Sequence, residues 1–149
     1  MLEKLRPGKG EKILDVGAGS GWTAALLADI VGVTGKVYGI ERIKELKDYA
    51  IGNINKYGFI KNGIVQIFCS DGYKGLSEFA PFDKILVSAA AAEAPEELLK
   101  QLTIGGRLVL PIGEQRQIQT VVVIEKQADG KFKKIEYPGF VFVPLIKDN

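Results

Sequence analysis

The chain has 149 residues, a formal net charge of +2, 46% hydrophobic and 26% charged residues. That is one globular domain by length, with too little charge to argue for a nucleic acid or a membrane surface as partner and no apolar run near the ~20 residues of a membrane span. A single cysteine and the absence of histidine exclude an intrachain disulfide, suit a reducing, cytoplasmic compartment, and remove the commonest general base and metal ligand, so no metal site is expected.

Strand-like and helix-like runs alternate through the first two thirds. Residues 12–16 read as a buried strand, ending in Asp15-Val16 and feeding Gly17-Ala18-Gly19-Ser20-Gly21, a turn that bares its backbone where a ligand could lie. Trp22, Ala25, Leu26 and Ile30 then share one face of a helix expected to stop near Gly32. Residues 36–40 read as a second strand, followed by Glu41. Ile43, Leu46, Ala50, Ile54 and Tyr57 recur at helical spacing, with Gly58 as the stop. Residues 64–68 form the third strand-like run, with Asp71 just beyond it, and 84–88 the fourth. Pro95 opens a short helix expected to carry Leu98, Leu99 and Leu102. Residues 107–110 read as a fifth strand, bounded by Gly105-Gly106 and Pro111. Beyond Pro111, residues 117–126 and 131–142 are β-rich and joined by Ala128-Asp129-Gly130, a hairpin loop.

Repeated βα units demand a parallel sheet with right-handed crossovers. The expectation is a single α/β domain over residues 1–149: Rossmann-like and doubly wound, with about seven mostly parallel strands and a C-terminal antiparallel hairpin.

Asp15, Glu41 and Asp71 each stand at the carboxyl end of a successive strand, which describes a nucleoside site on one sheet edge. A dinucleotide site also uses a glycine turn with an acid about 20 residues on, but it wants a small residue where this chain has Trp22. No Gly-Lys-Ser/Thr follows to make a phosphate-binding loop. S-adenosylmethionine fits better, having no phosphates and carrying a sulfonium. Asp15 would attract its ammonium, Glu41 would accept from both ribose hydroxyls, and Asp71 from the adenine amino group. Plainer readings stand beside these. The glycines could form an ordinary strand-to-helix turn, Glu41 could pair with Lys44 or Lys47, and Asp71 could cap a turn before Gly72. Cys69 reads as an inert buried thiol, Lys131, Lys133 and Lys134 as a solvated hairpin, and Trp22 and Tyr38 as core more readily than ligand-stacking residues.

With Asp15-Val16-Gly17-Ala18-Gly19-Ser20-Gly21-Trp22, Ile40-Glu41-Arg42, Ser70-Asp71-Gly72-Tyr73-Lys74-Gly75-Leu76, Ser88-Ala89-Ala90-Ala91 and Phe142-Val143-Pro144-Leu145 laid out, the chain resembles the class I S-adenosylmethionine-dependent methyltransferases. Within them it is similar to the protein-L-isoaspartate O-methyltransferases, over nearly its whole length. The resemblance implies cofactor roles for Asp15, Gly17, Gly19, Glu41 and Asp71, together with their neighbours Ala18, Ser20, Gly21, Trp22, Arg42 and Gly72. It also implies that Ser88, Ala89, Ala90 and Ala91, with Val143, Pro144 and Leu145, line a cleft for isoaspartyl peptides or proteins. The acceptor would be a carboxylate already anionic at neutral pH, so the protein's task is alignment and exclusion of water, with no general base required.

One departure from the family shapes the expectations. The family's segment ahead of the cofactor domain, with its Ser-x-Pro, has no counterpart before Leu5-Arg6-Pro7-Gly8. The chain alone is therefore expected to bind cofactor and to methylate isoaspartyl peptide slowly or undetectably, a cofactor-binding module being the alternative. Exposed edge strands leave room for self-association.

Overall fold

The computed structural model describes residues 1–114 and 117–147. Helix α1 (Leu2–Leu5) leads into β1 (Lys12–Val16), α2 (Trp22–Val31), β2 (Lys36–Glu41), α3 (Lys44–Asn55) and β3 (Val65–Cys69). A 3-10 turn at Ser77–Phe79 precedes β4 (Phe82–Val87), and α4 (Glu96–Lys100), β5 (Leu102–Ile112), β6 (Gln119–Lys126) and β7 (Phe132–Phe140) follow. The seven strands form one sheet in the order β3-β2-β1-β4-β5-β6-β7. Strands β1 to β5 pair in parallel, and β6 and β7 add antiparallel at one edge. This is the doubly wound Rossmann-like sheet expected from the alternating pattern, with β1 interior and the hairpin outermost.

Position in the sheet explains each strand's composition. In β1 every residue from Ile13 to Val16 is buried, as a parallel strand covered on both faces requires. Its side chains alternate between two cores. Ile13 joins Leu27, Ala28, Val37 and Ile54 on one face; Leu14 and Val16 join Ile40, Ile85 and Val87 on the other. Tyr38 anchors the second core, its ring 4.6 Å from that of Phe79 and 5.9 Å from that of Phe82. Strand β7 is the reverse case, exposed at most positions.

Several expectations are corrected. Helix α2 buries Ala24, Leu27, Ala28 and Val31, not the stripe of Trp22, Ala25, Leu26 and Ile30. The helix is apolar nearly all round, so periodicity does not choose a face. Alanines four apart do, because they let the helix lie close to the sheet. Trp22 is 66% exposed. In α3 only Ala50 and Ile54 of the predicted stripe are buried, while Ile43, Leu46 and Tyr57 are exposed.

Leu102 does not belong to the short helix: it opens β5 and pairs with Phe82. Strand β5 runs through the residues read as its bounds. A register shift between Phe82 and Lys84 absorbs Gly105 at φ 79° as an irregularity within the strand. Pro111 is tolerated because its carbonyl accepts from Ala91 N–H at 3.1 Å. In a strand the absent N–H of Pro111 lies on that same side, away from β6, so no bond of the β5–β6 ladder is lost.

Cys69 is exposed, not buried. It ends β3, the sheet's other edge strand, and its thiol lies 3.4 Å from the Arg42 carbonyl. The hairpin loop is as expected, with Gly130 N–H donating to the Gln127 carbonyl at 3.0 Å and Lys131 paired with Asp129.

The buried face of α2 is testable by urea unfolding. Leu27→Ala should lose about 2–5 kcal/mol, the range for truncating a core leucine, and Ile30→Ala less than about 1 kcal/mol, each at an unchanged slope. Equal losses would place the helix differently.

Candidate functional site

The site is built at the carboxyl edge of β1, β2 and β3. After Val16 the chain turns through Gly17, Gly19 and Gly21, at φ 85°, 52° and 82°, left-handed values that strain any residue with a β-carbon. Gly21 is held twice over, since a β-carbon there would lie 2.9 Å from the Ile54 side chain. The N–H groups of Gly17 and Ala18 both donate to the Ile40 carbonyl at 2.9 Å, which draws the turn across the end of β2.

Glu41 locks that arrangement. Its Oε2 accepts from Gly19 N–H at 2.9 Å and its Oε1 from Ile43 N–H at 3.0 Å. It does not pair with Lys44, which binds Asp48 instead. With 8% exposure the carboxylate still borders the cleft, and each oxygen keeps acceptor capacity.

Asp15 is fully buried, and neither carboxylate oxygen has a hydrogen-bond partner. Burial first, and then the charge of Glu41, push its carboxyl up to about 7. Asp71 is also buried, and its two oxygens differ. Its Oδ1 accepts from Tyr73 N–H at 2.9 Å, the turn role foreseen for it, and Oδ2 is buried without a partner. Unsatisfied buried carboxylate oxygens are rare, and they point to donors that arrive with a ligand.

An open cleft of about 360 Å³ is lined by Glu41 and by the chain neighbours of the other two acids, Val16, Gly17, Ser70 and Gly72, but by neither Asp15 nor Asp71 themselves; its volume is within the size range of small-ligand sites. Gly17, Gly19, Glu41 and Arg42 form one side of its lining, with Ser70 and Gly72 from the segment after β3. Ser88 and Ala89 follow β4, and Val143, Pro144 and Leu145 come from the C-terminal segment. The structure thus gathers residues from five separate stretches of sequence.

Other predicted residues lie near the cleft but not on it. Ala90 and Ala91 are buried, with Ala90 bridging Pro144 and Ala91 bridging Ile112. Ala18, Ser20 and Gly21 shape the turn from behind, where the Ser20 carbonyl accepts from Asn53. Trp22 borders a separate hollow with Ala25, Leu26 and Tyr57. Ile43 and Leu46 also line the cleft, and sequence reasoning missed them because apolar residues at helical spacing read as core; Ile146 lines it too, one residue past the Phe-Val-Pro-Leu run. Among the described residues, no three acidic or cysteine side chains come together as a metal site, and no helix is long and apolar enough to cross a membrane.

Comparison with known proteins points to one family. The model of the protein-L-isoaspartate(D-aspartate) O-methyltransferase family matches residues 1–149. A protein-L-isoaspartate O-methyltransferase of Aeropyrum pernix is 46% identical across 100% of this chain, which spans 56% of that protein. One from Methanopyrus kandleri is 44% identical, with 98% of this chain and 63% of that protein covered. The chain therefore spans less than two thirds of the length of these curated relatives. A solved Plasmodium falciparum protein ascribed to the same methyltransferase type, in complex with S-adenosyl-L-homocysteine, superposes with a TM-score of 0.86. It is 29% identical, and the match covers 99% of this chain and 70% of that one. By the match along its whole length, the chain belongs to the protein-L-isoaspartate(D-aspartate) O-methyltransferase family.

Proposed function

We propose that this domain binds S-adenosylmethionine at the carboxyl ends of β1, β2 and β3, and that the whole protein uses it to methylate the carboxylate of isoaspartyl residues. The observation that carries the reading is the pair of buried acids with unpartnered oxygens, Asp15 and Asp71, flanking a glycine turn fixed by Glu41. Those groups fit a ligand bearing an ammonium, a ribose and an aminopurine. The complex of a family relative with S-adenosyl-L-homocysteine supports the same ligand.

When bound, the cofactor supplies a methyl group activated by its sulfonium. The residues of this chain do the rest. Glu41 accepts from the ribose hydroxyls while its bonds to Gly19 and Ile43 keep the turn in place. Asp15 offers negative charge near the turn, and Asp71 Oδ2 offers an acceptor to the base. Gly17 and Gly19 let the backbone approach closely. Ser88 and Ala89 with Val143, Pro144 and Leu145 form the wall against which the peptide carboxylate is aligned and from which water is excluded. No general base is needed for the transfer, because the acceptor is already an anion at neutral pH. A cytoplasmic location suits a chain with one exposed thiol and a role in protein repair. Self-association through the open edge of β7 belongs to the same reading, and sedimentation tests it.

Calorimetry with S-adenosylhomocysteine tests the site. Glu41→Ala should weaken binding by about ten- to a hundredfold, the loss of ~1.5–3 kcal/mol expected for bonds to a charged acceptor. Equal affinities would remove Glu41 from the site, and tighter binding of NAD would overturn the cofactor assignment. Acceptor chemistry is read by methyl incorporation into an isoaspartyl peptide against its aspartyl counterpart. Selectivity for the isoaspartyl form, rather than rate, is the expected signature.

Asp15 makes a separate prediction about pH. Its carboxyl sits at about 7 in the fold against 3.8 for the ordinary group, so the folded protein binds more protons than the unfolded chain between these values. Without ligand, stability should therefore fall as pH rises from about 4 through 7 and then level off. Ligand affinity should run the other way, tightening as Asp15 ionises to meet the ammonium. Asp15→Asn should flatten both trends, followed by thermal melts and calorimetry between pH 5 and 8 on the scale of ~1.4 kcal/mol per unit of pKa shift. An unchanged slope in the variant would show that another group is responsible.

A further inference from the structure

Apart from Asp15, Glu41 and Asp71, one fully buried polar side chain does something that neither the turn nor the helices require. Gln119 stands at the start of β6 with no solvent exposure. Its Oε1 accepts from Phe142 N–H at 2.6 Å. Its Nε2 donates to the Glu114 carbonyl at 3.3 Å and faces the Phe142 carbonyl at 3.4 Å. The side-chain amide therefore treats Phe142 as a neighbouring strand would, accepting from its N–H and donating to its carbonyl. Space for this is left by Gly113, where a β-carbon would lie 3.0 Å from Gln119 Cγ.

The location gives the contact its meaning. The β6–β7 ladder slips by one residue between Thr120↔Pro138 and Gln119↔Phe140, and backbone pairing with β6 ends there. Two residues later the Gln119 side chain takes over. From Phe142 the chain crosses toward the loop after β4, where Ala90 N–H donates to the Val143 carbonyl and Leu145 N–H to the Ala90 carbonyl, both at 2.7 Å. The same loop is held from its other side, Ala91 N–H reaching the Pro111 carbonyl at 3.1 Å and Gly113 N–H the Ala91 carbonyl at 3.0 Å. Residues 143–146 then line the cleft, with Leu145 packed close to Gly72. Val141 and Val143 are 74% and 70% exposed, while Phe142 and Leu145 rest half-buried against the two cores, so the strap's path is set by hydrogen bonds together with these two side chains.

The geometry points to Gln119 as a positioning residue for the acceptor wall: it fixes where the strap 142–145 leaves the sheet, and so where Val143, Pro144 and Leu145 stand against the loop 88–91. It touches neither ligand. Its effect passes through Phe142 to residues that the proposed function assigns to the peptide, and the inference rests on that reading.

The test compares the wild-type chain with Gln119→Leu, which keeps the bulk and removes every hydrogen bond, and with Gln119→Asn, a milder change that keeps the amide but shortens its reach. Amide exchange by NMR should show Phe142 and Leu145 N–H groups exchanging at least about tenfold faster in both variants, since each loses a bond that fixes the strap. Affinity for an isoaspartyl peptide, measured by calorimetry on the chain loaded with S-adenosylhomocysteine, should weaken about tenfold, because a misplaced wall loses contacts to the acceptor. A merely structural role would lower the melting temperature and the binding-competent fraction and leave the peptide Kd where it was, and that result overturns the proposal. Should Gln119→Leu fail to fold, Gln119→Asn gives the same readouts. Should the wild-type chain bind no S-adenosylhomocysteine, the functional reading falls by itself. Exchange rates at Phe142 and Leu145 equal to wild type would then overturn the clamp independently.

Discussion

A carboxylate with both oxygens engaged by backbone is the fixed point of this molecule's working edge. Glu41 accepts from the N–H of Gly19, twenty-two residues upstream, and from Ile43, two residues ahead. The first bond fixes the glycine turn and the second fixes the entry to α3. Both also aim the carboxylate, since a group held by two donors has little rotational freedom left to lose when a ligand arrives. The turn cannot relax without breaking these bonds, and the left-handed glycines cannot be replaced without strain. The neighbouring acids are placed separately, Asp15 by the pairing of β1 with β2 and β4 and Asp71 by its own turn to Tyr73.

Asp15 and Asp71 show what the arrangement sacrifices. Buried acceptor oxygens without partners typically cost ~1–3 kcal/mol each, and three such oxygens sit within the two residues. Two choices soften the penalty. Asp15 holds its proton up to about pH 7, so near neutrality much of it carries no charge. Asp71 satisfies one oxygen locally through Tyr73. A ligand that supplies the missing donors stabilises the folded state by mass action. Affinity and fold stability are thus two measures of the same unsatisfied groups.

What was legible in the sequence was local. The run from Asp15 to Trp22, the acid after β2 and the acid after β3 could be read because strand, turn and acid lie within a few residues of one another. Strand order was less accessible. Cys69 reads as buried in an apolar run, and only its place at the end of an edge strand exposes it. The face of α2 was hidden because Ala24 and Ala28 matter for their smallness rather than their hydrophobicity. Gly105, Gly106 and Pro111 look like stops, and a bulge together with a proline facing away from β6 lets β5 run through all three. Gln119 carried no signal at all. A lone amide at the head of a β-rich run resembles any surface glutamine until its partner, twenty-three residues later, is known.

The strap also has a consequence for the order of events during synthesis. Residues 142–145 close the cleft by bonding to Ala90, more than fifty positions earlier, and to Gln119. Domains fold as the chain emerges, and contacts distant in sequence form late. The five parallel strands and the turn at Glu41 have all left the ribosome before the strap does. A nascent chain can therefore shape the edge formed by β1, β2 and β3 first, while the side of the cleft lined by residues 143–146 is still unformed. That side is then the last part of the cleft to be placed.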